Sequence, residues 1–240
     1  MIGPAPAGPW IMAQTWTDLL FAHWPVAAAT LRGIVPSPLE IERYDGQAWL
    51  GVIPFGMQGV RLRGIPPLPW LSRFLELNVR TYVTLNGRPG VYFFSLDASN
   101  PLAVAAARRW FFLPYYHAAM QWRTREGVVE YRSRRTHRAA PPAELSADYR
   151  PRGEPFIARA GTFAEWATER YRLYTADAVG TIWTAEIRHP RWSLQEAEAE
   201  FKVNTMTQGL GVTLPAMAPV LQFARRQDVR VWPLHRASAV

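Results

Sequence analysis

The chain has 240 residues, 49% of them hydrophobic and 19% charged, which is enough for a sizeable buried core. It contains no cysteine, so disulfides, thiolate metal sites and cysteine nucleophiles are excluded. The net charge of +8 suggests a polyanionic partner, but the arginines are interleaved with acidic residues, which argues against nucleic-acid binding.

The first half of the chain predicts short strands joined by tight turns. The pairs Asp45-Gly46 and Asn86-Gly87 are typical of hairpins. Pro25 can open a short helix through Leu31, and the proline-rich residues 64–70 predict a rigid loop. The strands are predicted within residues 10–24, 39–55, 76–83 and 90–98.

The second half mixes helices with strands. Asn100 followed by Pro101 predicts a helix that runs to about Trp110. Capping boxes predict two more helices, which begin after Thr162 and Ser193. Further strands are predicted within residues 113–122, 171–175 and 181–188, a hairpin turn at residues 126–127 and a surface loop over residues 138–152. This pattern predicts one α+β domain, mainly β, over residues 1–240, built on a closed antiparallel barrel-like sheet.

The strand at residues 76–83 has one polar and one apolar face, because alternate side chains point to opposite sides. The polar face is typical of a solvent-exposed strand or of a strand that lines a cavity. The apolar opposite face and the aromatic residues nearby favour a sheet enclosed on both sides. The polar face carries Glu76, Asn78, Arg80 and Tyr82, and the apolar face carries Leu77, Val79, Thr81 and Val83.

Glu76 and Arg80 are the chemically informative residues of that face. They lie about 13 Å apart along an extended strand, at ~3.3 Å per residue, and so do not pair directly. Both can nevertheless point into one pocket. There a carboxylate can transfer a proton and an arginine can bind an anionic or carbonyl group.

A second polar cluster follows the helix predicted after Asn100. Arg108 lies near the end of that helix, and Tyr115, Tyr116 and His117 come soon after it. A tyrosine hydroxyl can donate a hydrogen bond to a carbonyl oxygen, and histidine is the usual acid or base near neutral pH. An aromatic cluster around a structural histidine is the alternative interpretation.

Seven segments resemble, in order, the uncharacterised bacterial YqjF-like family. The resemblance extends from about residue 13 to residue 192. That family is similar in fold to acetoacetate decarboxylase, which implies a single domain with a closed antiparallel β-structure around a polar central cavity. The segments read LLFAHWPV, YDGQAWLGVIPF, FLELNVRTYV, GRPGVYFFSLDA, ARRWFFLPYYHAAM, TERYRLYT and HPRW.

The resemblance matches two residues of this chain to functional residues of the decarboxylases, and at a third position this chain differs from them. Glu76 resembles the strand glutamate of the decarboxylase cavity, and Arg108 resembles the arginine that precedes the active lysine. In the decarboxylases that lysine belongs to a Phe-Pro-Lys-Lys segment, whereas this chain reads LPYY, so Tyr115 stands in its place. A phenol cannot form an imine, so the amine mechanism is not expected. The only lysine, Lys202, is predicted to lie just past a helix without a chemical role.

We therefore expect a cytoplasmic protein that binds a small carbonyl or carboxylate compound in a central cavity. If it is an enzyme, lyase or hydratase chemistry without an imine is expected; the alternative is a non-catalytic binding or sensing module. No metal or cofactor is expected, since the five histidines are scattered and no phosphate-binding loop is present. No membrane association is expected, and a homo-oligomer is left open. The catalytic candidates are Glu76, Arg80 and Tyr115, and the ligand-binding candidates are Asn78, Tyr82, Arg108, Tyr116 and His117.

Overall fold

The structure is a computed structural model that describes residues 6–237. One sheet of thirteen strands dominates it. The strands are β1 (Met12–Val26), β2 (Glu40–Ile41), β3 (Ala48–Leu62), β4 (Phe74–Leu85), β5 (Arg88–Ala98), β6 (Tyr115–Arg125), β7 (Val128–Arg135), β8 (Glu144–Ile157), β9 (Arg172–Ala176), β10 (Ile182–Arg188), β11 (Ser193–Asn204), β12 (Val220–Val231) and β13 (His235–Arg236). The helices are α1 (Ala28–Arg32), α2 (Pro101–Phe111) and α3 (Phe163–Thr168), with a 3₁₀ turn at Gln208–Leu210.

The sheet closes on itself in two rings of hydrogen-bonded strands. The first ring runs from β5 through β6, β7, β8, β11, β12, β1, β3 and β4 back to β5. The second runs from β5 through β9 and β10 to β12, and returns through the same β1, β3 and β4. The two rings therefore share β12, β1, β3, β4 and β5. The predicted α+β, mainly β, barrel-like fold is confirmed.

Two strand pairs differ from the antiparallel arrangement predicted. The strand β5 pairs in parallel with β6 and with β9, whereas the other pairs among the described strands are antiparallel. Parallel neighbours need a crossover connection, and α2 supplies it between β5 and β6. The crossover places α2 beside the sheet, where it covers the site described below.

The shared strands divide the hydrophobic core into separate clusters. The largest cluster includes Leu77 and Val79 of β4 and Tyr131 of β7, and therefore occupies the first ring. Two smaller clusters, to which Phe55 and Leu173 belong, lie on the side of the second ring. The apolar face of β4 thus packs in one ring while its polar face points into the other. A strand with both faces enclosed is what its apolar face and the aromatic residues nearby favoured, whereas the alternation alone left a solvent-exposed strand open.

The helix predicted after Ser193 is wrong, because this residue starts the strand β11. Every second side chain of its middle part, including Ala197 and Phe201, packs against the core, and glutamates occupy the positions between. This period of two is a strand pattern, and pairing with β8 and β12 outweighs the helix propensity of alanine and glutamate. Lys202 consequently lies on a strand, where its Nζ binds Asp148 Oδ2 at 2.5 Å.

The surface loop predicted over residues 138–152 is wrong in its second half, because β8 begins at Glu144. Leu145, Ala147 and Tyr149 alternate with polar residues and are buried. Tyr149 also donates a hydrogen bond to the carbonyl oxygen of Asp18 at 2.9 Å. The segment therefore forms a strand, although its sequence is rich in loop-forming residues, because it pairs with β7 on one side and with β11 on the other.

Two connections near the N-terminal half also differ in detail. The turn at Asp45-Gly46 forms with positive φ at both residues, yet β2 pairs with β4 rather than with β3. Pro25 belongs to β1, so the short helix begins later, at Ala28. The pairing of β1 with β12 ends at His23, so Pro25 lies on an edge segment of the strand, where proline is tolerated.

The helix caps predicted at Asn100 and Thr162 are confirmed, whereas the capping box predicted at Ser193 is wrong, because that residue begins β11. Asn100 Oδ1 accepts hydrogen bonds from the amides of Leu102 and Ala103 at 3.0 and 3.2 Å, and α2 follows. Thr162 Oγ1 accepts one from the amide of Glu165 at 3.4 Å at the start of α3. No helix within residues 6–237 is long and apolar enough to cross a membrane. Residues 1–5 and 238–240 of the predicted domain lie outside the described residues.

Candidate functional site

The second ring encloses a cavity of about 470 Å³. Strands β1, β3, β4 and β5 form its inner wall, while α2 and the loop at residues 63–73 form its outer wall. Most of its lining is apolar, and its polar side chains include Gln14, Glu76, Asn78, Arg80, Tyr115, Thr168, Arg170 and His189. The polar face of β4 therefore lines a cavity and not an outer face of the sheet.

Glu76 and Tyr115 form a hydrogen-bonded pair in this cavity. Tyr115 Oη donates to Glu76 Oε2 at 2.8 Å. Their backbones are held in place, because Tyr131 Oη donates to the carbonyl oxygen of Glu76 at 2.8 Å and Arg108 Nη1 to that of Tyr115 at 2.7 Å. The two strands that carry the pair are both hydrogen-bonded to β5.

The pKa values of both residues of the pair are raised. Burial raises the pKa of Glu76 to about 7, while the hydrogen bond from Tyr115 lowers it in part and the charge of Asp97 adds to the rise. Burial, and then the Glu76 charge, raise the pKa of Tyr115 well above its usual value. The phenol therefore keeps its proton while the carboxyl group exchanges one, as an acid or base requires.

Arg80 is a buried cation without a carboxylate partner. Its Nη2 donates to Tyr82 Oη at 3.3 Å and to the carbonyl oxygen of Ala167 at 3.1 Å. Its Nε is buried without a hydrogen-bond partner among the described residues, none of whose carboxylates forms an ion pair with it. A buried charge is costly unless it is paired, so this guanidinium is suited to an anionic ligand. Arg170, by contrast, binds Glu42 Oε2 through Nη1 at 2.7 Å.

Other polar atoms of the lining are also unsatisfied. Asn78 lies between Glu76 and Arg80 on the same strand face, and its Oδ1 is buried without a partner among residues 6–237. The same holds for Gln14 Oε1 and Trp16 Nε1. Folded proteins leave few such atoms without partners, so their concentration around one cavity indicates a ligand site.

The structure brings together four of the residues that the sequence indicated. Glu76, Asn78, Arg80 and Tyr115 all line the cavity. Tyr82 does not line it; this residue is fully buried behind Arg80, where its hydroxyl also contacts His23 Nε2 at 2.6 Å.

Three predicted ligand-binding residues lie outside the cavity. Arg108 and His117 line a separate surface groove between α2 and the end of β7, where Thr136 Oγ1 lies 3.0 Å from His117 Nδ1. The ring of Tyr116 packs beneath the guanidinium of Arg135, whose Cζ lies 4.1 Å from the ring centroid. Alternation along β6 turns Tyr116 away from the side of Tyr115, whereas His117 shares that side but lies further along the strand, at the groove.

Sequence reasoning missed several residues of the lining. His189 has ring nitrogens 2.8 Å from the carbonyl oxygen of Pro190 and 3.4 Å from that of Arg170, and burial lowers its pKa. Trp192 lies beside it and packs edge-on against Phe21. The segment HPRW contains both residues, and TERYRLYT contains the lining residues Thr168 and Arg170, but nothing local in either segment predicts a shared cavity. No group of three or more His, Asp or Glu residues within residues 6–237 could hold a metal ion.

The fold is that of acetoacetate decarboxylase-like proteins. Acetoacetate decarboxylase from Legionella pneumophila is similar with a TM-score of 0.63 and 13% identity, over 100% of this chain and 92% of that chain. The enduracididine biosynthesis enzyme MppR, complexed with the condensation product of pyruvate and imidazole 4-carboxaldehyde, is similar with a TM-score of 0.65 and 9% identity, over 95% and 90%. At these identities the likeness concerns the fold.

The chain belongs to the DUF2071 family, described as an uncharacterized conserved protein, whose model matches residues 13–228. It is 48% identical over 233 residues to "Uncharacterized protein YqjF" of Bacillus subtilis (strain 168), covering 97% of this chain and 95% of that protein. The resemblance found in the sequence is therefore confirmed.

Proposed function

We propose that this protein binds a small oxo acid in its central cavity and catalyses proton transfer on it without an imine intermediate. The observation that carries the proposal is the Glu76–Tyr115 hydrogen bond, which faces the same cavity as the unpaired Arg80. The MppR complexes contain pyruvate or its condensation product, and this supports an oxo acid as the ligand class.

Each residue has a distinct task in this proposal. Arg80 binds the carboxylate of the acid, and Asn78 hydrogen-bonds to the ligand beside it. Tyr115 turns its hydroxyl from Glu76 to the carbonyl oxygen of the acid. Ionised Glu76 then takes a proton from the carbon next to the carbonyl; the C–H electrons form the carbon–carbon double bond of an enolate, whose oxygen Tyr115 stabilises. Return of the proton completes an exchange, whereas loss of a β-hydroxyl group as water completes a dehydration.

Solvent exchange tests this proton transfer directly. In D₂O we expect the protein to accelerate loss of the pyruvate methyl signal, measured by proton NMR, and the Glu76→Gln variant to lose at least a hundredfold of that rate, since general bases contribute ~10²–10⁴-fold. The control is Glu198→Gln, which changes an exposed glutamate on β11 paired with Arg150 and Arg152. Equal rates for parent and Glu76→Gln would contradict the role of Glu76. Binding of pyruvate without any exchange would favour the alternative, a non-catalytic binding or sensing module.

We also expect no imine between the protein and an oxo acid. Lys202, the only lysine, lies outside the cavity, with its side chain 46% exposed and bound to Asp148. After incubation with pyruvate and borohydride, the intact mass should stay that of the unmodified protein. The Lys202→Arg variant separates an adduct on this lysine from one on the amino terminus. A stoichiometric adduct mapped to Lys202 would restore amine catalysis and overturn the proposed mechanism.

A further inference from the structure

The cavity is larger than a small oxo acid needs. At about 30 Å³ per water molecule, about 470 Å³ corresponds to roughly 15 waters, several times the space of pyruvate. The residues with proposed chemical roles on β4, namely Glu76, Asn78 and Arg80, occupy one wall. Much of the remaining surface is apolar and includes Phe21, Ile53, Phe55, Met57, Phe74 and Leu96.

The apolar lining continues to the outside of the molecule. We call its exposed end the apolar rim; it comes from the end of β3, the loop at residues 63–73 and α2. Among its members, Leu62 is 54% exposed and Trp110 is 68% exposed, although both line the cavity. A contiguous exposed apolar surface on a soluble domain commonly marks a binding site. The rim consists of Leu62, Ile65, Leu68, Leu102 and Trp110.

Small side chains on α2 leave room beneath this rim. Ala103, Ala106 and Ala107 line the cavity, while Ala105 and Arg109 on the other side of the helix line the separate groove. The helix therefore presents an alanine face to the cavity, against which a flexible or aromatic group can lie.

We propose that the ligand is amphipathic: an oxo acid with an extended apolar tail. Its carboxylate and carbonyl meet Arg80 and Tyr115, and its tail lies along the alanine face of α2 and reaches the apolar rim. This inference rests on the proposed function, which it extends from small oxo acids to a class with a hydrophobic substituent. The proposed function and its extension predict different properties of the ligand. Binding at Arg80 requires a carboxylate, whereas binding to the apolar walls predicts an affinity that increases with the length of the tail.

Calorimetry with unbranched 2-oxo acids tests the inference. From pyruvate through 2-oxobutanoate and 2-oxohexanoate to 2-oxooctanoate, we expect affinity to rise about fourfold for each added methylene, because burying a CH₂ is worth ~0.8 kcal/mol. An affinity that does not change with length would overturn the inference while leaving the proposed function in place. If 2-oxooctanoate and its methyl ester bind equally well, the apolar cavity stands and the proposed carboxylate site fails.

A matched pair of variants on α2 locates the tail. Ala106→Phe fills the apolar part of the cavity and should lower the affinity for 2-oxooctanoate at least tenfold, which reduces its ratio to the affinity for pyruvate by the same factor. Ala105→Phe places the same ring on the groove side of the same helix and should keep the ratio of the two affinities. Circular dichroism checks that both variants fold. If the ratio of the affinity for 2-oxooctanoate to that for pyruvate is the same in both variants, the tail does not lie along this face of α2 and the inference is overturned.

Discussion

Replacing Arg80 by methionine should weaken the binding of 2-oxooctanoate by roughly 30- to 5,000-fold, or about 2–5 kcal/mol, the usual loss when a buried charge partner is removed. Methionine keeps most of the aliphatic volume, so the change acts mainly through the charge. The variant should melt near the parent temperature, because removal of a buried charge that no carboxylate of the described residues pairs with offsets the hydrogen bonds lost by Tyr82 and Ala167. Calorimetry and thermal melting measure the two effects.

Arg135 provides the control for this experiment. It is a second buried arginine, but its Nε and Nη2 bind both carboxylate oxygens of Asp97, at 2.7 and 2.9 Å. Arg135→Met leaves Asp97 buried without a partner and should cost ~3–5 kcal/mol of unfolding free energy. If Arg80→Met loses as much stability as Arg135→Met and binds the acid as the parent does, Arg80 is a structural residue and the anion site is refuted.

Replacing Glu76 by glutamine should stabilise the protein at alkaline pH. The pKa of Glu76 rises from 4.5 to about 7 on burial, so the folded protein holds this proton more tightly than the unfolded chain does. Ionisation of Glu76 therefore lowers the unfolding free energy of the parent. This loss is absent below about pH 4.5, grows up to about pH 7 and amounts to ~3 kcal/mol above it, since one pKa unit equals about 1.4 kcal/mol. Glutamine removes the charge and can still accept the hydrogen bond from Tyr115.

Urea denaturation between pH 5 and pH 8 measures the unfolding free energies of the parent and of Glu76→Gln. The variant should be the more stable of the two by an amount that increases with pH. In the control, Glu198→Gln removes an exposed ion pair and should change the stability by at most ~1 kcal/mol. A loss of stability in Glu76→Gln that is the same at every pH would mean that Glu76 supports the fold. The expected gain fits a residue retained for chemistry at a cost in stability.

Glu76 and Arg80 act independently in these two experiments. No ion pair joins them, because Glu76 is bonded to Tyr115 and Arg80 to Tyr82 and Ala167. We expect the stability changes of Glu76→Gln and Arg80→Met to add in the double variant, as they do for residues without shared partners.

The local features of this protein were determined by its sequence. The alternation in β4 assigns Glu76, Asn78 and Arg80 to one face, because the strand repeat of two is a property of the backbone. The caps at Asn100 and Thr162 likewise depend on hydrogen bonds within three residues. The ordered segments that resemble a known family indicated the overall fold and the place of Tyr115.

The tertiary structure alone decided which faces are enclosed and which residues meet. Closure of the second ring through β9, β10 and β12 turns the polar face of β4 into a cavity wall and brings His189 and Arg170 to it. Pairing with β8 makes a strand of β11 against its capping-box pattern. These outcomes depend on contacts between residues far apart in the chain, whose burial and hydrogen bonds outweigh local propensity and leave no local pattern from which they could be predicted.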